Sequence, residues 1–259
     1  MPGVISVAAV LVSKYPDGDN SQLLLWTVLA VGSGLVAGLI NGIAITKFRI
    51  TPLVATLAVN ALLYGSVLYM TKGTSTQAVP QSLADFTVGR THGVPYLAIV
   101  ALIAVVVFEV GIRATKFGRR FVAIGASQRS ARAAGMKVVS FQIATYALAG
   151  VIYASAGVLL AGYLGIPSLL IGNSYLLPTV AVVVLGGTSL LGGAGSVAAT
   201  AVGAVFLMQL QQVTLGMGAA ASVQDIIEAV IIAIGMALRL VPWRALFAKR
   251  TSPSVPAIN

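Results

Sequence analysis

Acidic residues are scarce in this chain: Asp and Glu number 6 against 16 Lys and Arg. Charged residues of both signs make up only 8% of its 259 residues, where soluble domains carry about 25%. A soluble chain of this length needs a polar surface around its core, and the residues to build one are missing. Cysteine is absent, which excludes disulfides, thiol catalysis and Cys-based metal sites. His92 is the single histidine, so neither a zinc cluster nor a Ser–His–Asp arrangement can be argued from it. No basic–aromatic surface accompanies the net charge of +10, so that charge does not point to nucleic acid. What remains is apolar: 58% of the chain is hydrophobic, which makes it an integral membrane protein.

The apolar residues fall into about seven runs of spanning length, near 20 residues each. They are Leu23–Ile45, Thr51–Met70, Val94–Ile112, Phe141–Leu164, Tyr175–Leu191, Ser196–Gln212 and Val223–Val241. The runs are too long for strands and lack alternation. Gly3–Val12 is apolar but too short to span, and it has no basic region of the signal-peptide kind before it. It reads as part of a helix whose beginning is missing.

Lys and Arg set the orientation. Placing Lys47 and Arg49 in the cytoplasm brings Arg113, Lys116, the stretch Phe117–Val138, Arg239, Arg244, Lys249 and Arg250 to the same side. Only Lys14, Lys72 and Arg90 then lie outside, together with Asp17, Asp19 and Asp85. The expected fold is therefore all-α: a polytopic transmembrane bundle of about seven spans plus a short N-terminal partial helix. One transmembrane domain covers residues 1–245, with a cytoplasmic loop over 113–140. A cytoplasmic tail follows over 246–259, its end Thr251–Asn259 expected to be disordered.

The fifth run is the weakest span. It contains Pro178 and ends in LGGTSLLGGAGS, where Gly186, Gly187, Thr188, Ser189, Gly192 and Gly193 predict a broken helix, a re-entrant piece or a tight turn. The same stretch lacks the Lys that a phosphate-binding loop needs after its second glycine, so the chain is not expected to bind ATP. Gly34, Gly38 and Gly42 form one small-residue ridge for helix packing, and Gly195, Ala199 and Gly203 a second. The loop Thr71–Gly93 reads as a solvated connector or as a docking surface for an external partner.

Glu109 is the one acidic residue well inside a run, and it pairs with Arg113 one turn on. Asp225 and Glu228 belong to the outer interface, so a proton relay is not expected. Neutral polar groups inside the runs are the candidates for a translocation path: Asn41, Asn60, Tyr64, Gln142, Tyr146 and Gln209. Burying an amide without a partner costs a few kcal/mol, so each meets either another helix or water. Such groups suit a neutral, hydroxylated solute better than an ion.

Within FGRRFVAIGASQRSARAAGMKV, a short helix is predicted, with Ser127 as N-cap and Gly135 just past its end. Arg129 and Arg132 share a face, while Ala131, Ala133 and Ala134 keep the profile low. Either this helix lies at the membrane interface or it docks on an acidic groove of a soluble partner.

This run, then YALAGVIYASAGVLLAG (Tyr146–Gly162), then AVVVLGGTSLLGGAGS (Ala181–Ser196), resembles the permease subunits of bacterial ATP-binding-cassette sugar importers. These are of the ribose, xylose, arabinose and galactofuranose type, related to the branched-chain amino acid permeases. The resemblance runs over roughly residues 20–245, and Thr188 and Ser189 favour the sugar branch. It implies a subunit of the inner membrane that translocates a sugar and does no covalent chemistry. It also implies a second permease subunit, an ATPase that binds the ATP, and a periplasmic sugar-binding protein. No cofactor is expected in this chain itself. The helix around Arg129–Gly135 becomes the coupling helix, although the Glu that precedes the Ala-rich motif in the wider importer class is absent here. Relatives carry further spans ahead of the point where Met1 falls, so about two helices are expected to be missing. Alternative substrates are branched-chain amino acids, nucleosides or a furanose signal, and the alternative mechanism is ion-coupled secondary transport.

Overall fold

The computed structural model describes residues 1–16, 18–74, 76–189, 192–218 and 221–240. The tail over 246–259, Arg244, Asp17 and the side chains of Glu228 and Arg239 lie outside the described residues. In chain order the helices are α1 (Pro2–Lys14), α2 (Leu23–Thr46), α3 (Pro52–Thr71), α4 (Gln81–Val88), α5 (Tyr96–Ala114) and α6 (Lys116–Ala126). They continue with α7 (Gln128–Ala133), α8 (Val138–Leu164), α9 (Leu176–Leu185), α10 (Val197–Gly216) and α11 (Ala221–Leu240). The strands among the described residues form one hairpin, Arg90–Thr91 against Val94–Pro95, turned by His92 and Gly93 at positive φ.

Five helices among the described residues are long and apolar enough to cross a bilayer: α2 with its leading turn, α3, α5, α8 and α10. The last expected run forms α11. The fifth run, expected as the weakest span, is indeed broken. Its helix, α9, holds 10 residues and rises only about 15 Å, too little for a bilayer core. A 3-10 turn over Ile171–Tyr175 leads into it, and Pro178 sits in its first turn, where no helical donor is lost. Gly187, Gly192 and Gly193 then take positive φ and turn the chain back into α10.

The N-terminal stretch forms the short helix expected, α1, and among the described residues it is the most deeply packed, with Gly3 through Ser13 all buried. It runs among α2, α3 and α8. A short helix at membrane depth is tolerable only when its ends find protein partners. Here Gly3 N donates to Asn60 Oδ1 at 2.6 Å, and Lys14 Nζ donates to Met70 O. Ser6 Oγ accepts from Gly172 N at 3.0 Å, tying α1 to the 3-10 turn before α9.

The first glycine ridge is the centre of the largest helix interface, α2 against α8. A Cβ on Gly42 would lie 2.9 Å from Ile143 Cα, and one on Gly38 would lie 2.8 Å from Ala147 Cα. The second ridge is only partly realised. Gly203 meets Val182 O of α9, but Gly195 precedes α10 and Ala199 is exposed.

At one end the loop 71–93 is packed rather than freely solvated. Val79 N donates to Gly165 O at 2.9 Å, and Leu83 and Thr87 of α4 press on Gly162 of α8. Asp19 caps the 3-10 turn leading into α2, and two hydrogen bonds from Ser21 hold its carboxyl below the ordinary value. The other end carries α6 and α7.

Candidate functional site

The basic stretch folds as an arm of two helices. Thr115 Oγ1 accepts from Gly118 N at 3.0 Å and starts α6 directly behind α5. Any Cβ on Gly118 would collide with the backbone of Ile112, so the elbow requires glycine. Arg119 and Arg120 are exposed on α6, with Phe117 stacked on Phe141 of α8 at 4.5 Å. Ser127 caps α7, its Oγ accepting from Ser130 N at 3.2 Å. At the far end Gly135 N donates to Arg132 O and Met136 N to Ala131 O, each at 3.0 Å, with Gly135 at φ 75°. This pair of bonds satisfies the last carbonyls of so short a helix.

Arg129, Arg132, Ala133, Ala134 and Gly135 are exposed. Ala131 is not: it is buried against Ile124 and Val138, so it anchors α7 and offers nothing to a partner. Gly135 has open space around its Cα, so a side chain there costs only backbone strain. Gly135→Val should lose about 1–2 kcal/mol locally. Faster amide exchange over Ala131–Met136 is the expected readout, and Gly135→Asn should recover part of the protection.

The glycine turn after α9 meets this arm backbone to backbone. A Cβ on Gly193 would lie 2.7 Å from Ala126 Cα, and one on Gly192 would lie 2.8 Å from Gly125 O. Ser189 N donates to Ala194 O at 2.8 Å and closes the turn, while Thr188 Oγ1 lies 3.1 Å from Thr200 Oγ1 of α10. A cavity of about 490 Å³ opens between α5, α6, α8 and the turn. Gln142, Tyr146, Thr188, Ser189, Gly192 and Gly193 all line it. Three blocks far apart in the chain thus form one site.

The other path candidates lie elsewhere. Asn41 is fully buried, donates to Ala37 O at 3.1 Å, and its Oδ1 has no partner among the described residues. Asn60 is spent on the first turn of α1. The Tyr64 hydroxyl sits beside Asn60 and Ser6 but makes no hydrogen bond of good geometry among the described residues. Gln209 is exposed on α10, away from the cavity. Gly186 packs under Thr200, a Cβ there coming within 2.5 Å of the Thr200 Cα.

Glu109 is the residue whose partners local sequence did not reveal. It pairs with Arg113 as expected, Nε to Oε1 at 2.5 Å. Its Oε2 also accepts from Val197 N at 2.8 Å and Ala198 N at 3.1 Å, at the start of α10. Ser196 caps α10, its Oγ accepting from Ala199 N at 3.3 Å, and a serine before an apolar run is the signal that could have found it. A carboxylate arriving from another helix leaves no local signature.

Among the described residues no three His, Cys, Asp or Glu side chains gather closely enough to hold a metal. Long apolar helices around a largely apolar cavity that holds Gln142, Tyr146 and the Glu109–Arg113 pair, with a capped basic arm at its edge, define a multi-pass membrane transport protein. Residues 1–236 match the family described as branched-chain amino acid transport system / permease component, and the chain belongs to that family. It is a permease component rather than an enzyme.

Among its relatives is the ribose import permease protein RbsC of Bacillus subtilis (strain 168). The two are 34% identical over 242 residues, covering 84% of this chain and 75% of RbsC. The autoinducer 2 import system permease protein LsrC of Yersinia pseudotuberculosis is 33% identical over 180 residues, covering 70% of this chain. LsrC of Yersinia pestis (strain Pestoides F) is 32% identical over the same length. The chain spans about half the length of these LsrC relatives, 51% in each case. No solved structure matches at a significant level.

Proposed function

We propose that this chain is the membrane subunit of an ATP-driven importer for a sugar, in the bacterial inner membrane. Its partners are a cytoplasmic ATPase that binds the ATP, a periplasmic sugar-binding protein and a second permease subunit. The observation that carries the reading is the contact of the α6–α7 arm with the Gly192–Gly193 turn at the cavity wall. A push on α7 passes through Ser127 into α6, whose Gly125 and Ala126 abut the Gly192–Gly193 turn backbone to backbone. The excess of Lys and Arg at that end favours a cytoplasmic arm and a cytoplasmic C-terminus. Gln142 and Tyr146 offer amide and phenol groups to a neutral solute on its way out. Access alternates as the ATPase engages and releases the arm.

The names of the relatives support two substrate readings, ribose and autoinducer 2, the second a signal rather than a nutrient. Proteoliposomes holding the chain, its ATPase and its binding protein separate them with labelled ribose, xylose, arabinose, autoinducer 2, leucine and adenosine. One sugar or furanose should enter with ATP, and a proton ionophore should not stop it. Gln142→Ala with Tyr146→Ala should slow that uptake about tenfold, the loss of one or two hydrogen bonds. Uptake of leucine or adenosine alone would overturn the sugar reading.

A further inference from the structure

Helix α5 is attached to the molecule in an unusual way. None of its 19 residues is buried, and Leu102, Ile103, Val106, Val107 and Val110 all face outward. At its first turn Tyr96 N donates to Gly89 O at 3.0 Å, and Tyr96 stacks on Phe86. At its last turns the side-chain hydrogen bonds joining it to another long helix, among the described residues, are those of Glu109 to the start of α10. Beyond Glu109 the chain runs through the Thr115 elbow into the α6–α7 arm.

The chemistry of this tie is specific. The first amides of a helix have no acceptor within it, and the positive end of the helix dipole favours an anion. One carboxylate oxygen takes the Val197 and Ala198 amides, while the other is held by Arg113 and lies 3.4 Å from Ser196 Oγ. Arg113 is 70% exposed and Glu109 only 17%, so the arginine steadies a carboxylate that the protein otherwise shelters. A glutamine would present an NH₂ donor where a second acceptor is needed. Val197 follows the glycine turn, and Glu109, Ser196 and Val197 all line the cavity.

We propose that Glu109 is a positioning residue, a strut that joins the base of the docking arm to α10 so that the two move as one piece. The mechanical claim stands on geometry alone; its role in import rests on the function proposed above. Displacement of α6 and α7 then moves α10 and the cavity wall together. Without the strut, the arm keeps only its contact with the Gly192–Gly193 turn and the Phe117–Phe141 stack, and its position relative to α10 spreads.

The absence of cysteine makes the test clean. Spin labels on Ala123→Cys of α6 and Val205→Cys of α10 report the arm-to-α10 distance in the full chain in nanodiscs. A second pair, Val28→Cys of α2 and Leu62→Cys of α3, reports the glycine-packed half. With Glu109 present both pairs should give one narrow distance. Glu109→Ala should lose the narrow α6–α10 distance and keep the α2–α3 one; Glu109→Gln, whose one carbonyl oxygen can still take both α10 amides but not Arg113, should broaden it less, and Glu109→Asp should restore part of the distance lost in Glu109→Ala. In the reconstituted importer, ATPase capture by Glu109→Ala should be unchanged while solute moved per ATP falls about tenfold. An α6–α10 distance that stays narrow in Glu109→Ala overturns the strut, and so does joint broadening of both pairs. The labelling arm needs neither sugar nor ATPase, so its failure is separate from failure of the sugar reading.

Discussion

Arg129→Glu combined with Arg132→Glu should strip the ATPase from the purified chain, while the chain itself inserts and folds as before. Both guanidinium groups are exposed, and neither holds α7 together. The fold of α7 rests on Ser127 at its start, on the two bonds around Gly135 at its end, and on buried Ala131. Reversing both charges therefore changes the face proposed to dock and little else. Arg132 lies in the last turn, where a cation gains from the helix dipole, so its loss costs α7 about 0.5 kcal/mol. The partner term is larger. Two arginines three residues apart share one face and present parallel donors to an acidic rim. Glutamates there turn attraction into repulsion, worth several kcal/mol across an interface, or about a hundredfold or more in affinity. Co-purification from membranes, with the ATPase quantified per permease, checks the claim. Single reversals should fall between. A double variant that retains its full complement of ATPase shows that another surface docks.

Gly38→Leu should prevent assembly of the bundle altogether. A Cβ at Gly38 would run into the Tyr146 carbonyl as well as Ala147 Cα. These obstacles are backbone, so no rotamer change on α8 relieves them. The helices would have to separate, and with α2–α8 the largest interface, α1 would lose its packing on both sides. Overpacking costs about 1–3 kcal/mol for an added methylene in a yielding core, and a leucine against rigid backbone exceeds that range. Gly32 is the matched control, since a Cβ there meets nothing within 4 Å. Gly32→Ala, by contrast, should be neutral or slightly stabilising, because alanine is the better helix former by about 1 kcal/mol. Size-exclusion profiles and thermal midpoints in detergent separate the two. A monodisperse Gly38→Leu with an unchanged midpoint would show that the ridge does not hold the bundle.

These two sites differ in how far they can be read without coordinates. Ser127 and Gly135 are local: a side-chain oxygen reaches an amide three residues on, and a glycine takes the one conformation that others resist. Gly34, Gly38 and Gly42 repeat on one helix face, and packing is what such a face is for. The long helices α2, α3, α5, α8 and α10 follow from run length and apolarity. In the fifth run Pro178 and the glycines signal a break, but not how short the helix would be, which the 3-10 turn before it decides.

What the sequence alone determined was everything carried by short-range sterics and by the cost of polar groups in lipid: the membrane class, the glycine ridge of α2, and the capped basic helix. Tertiary structure decided which surfaces meet. It put α1 at the centre, turned Ala131 inward and spent Asn60 on the Gly3 amide. It also carried the Glu109 carboxylate across to Val197 and Ala198. An unpaired amide inside a membrane must find an acceptor, but its own neighbours in the chain do not say which one, because that acceptor sits on another helix and only packing brings the two together.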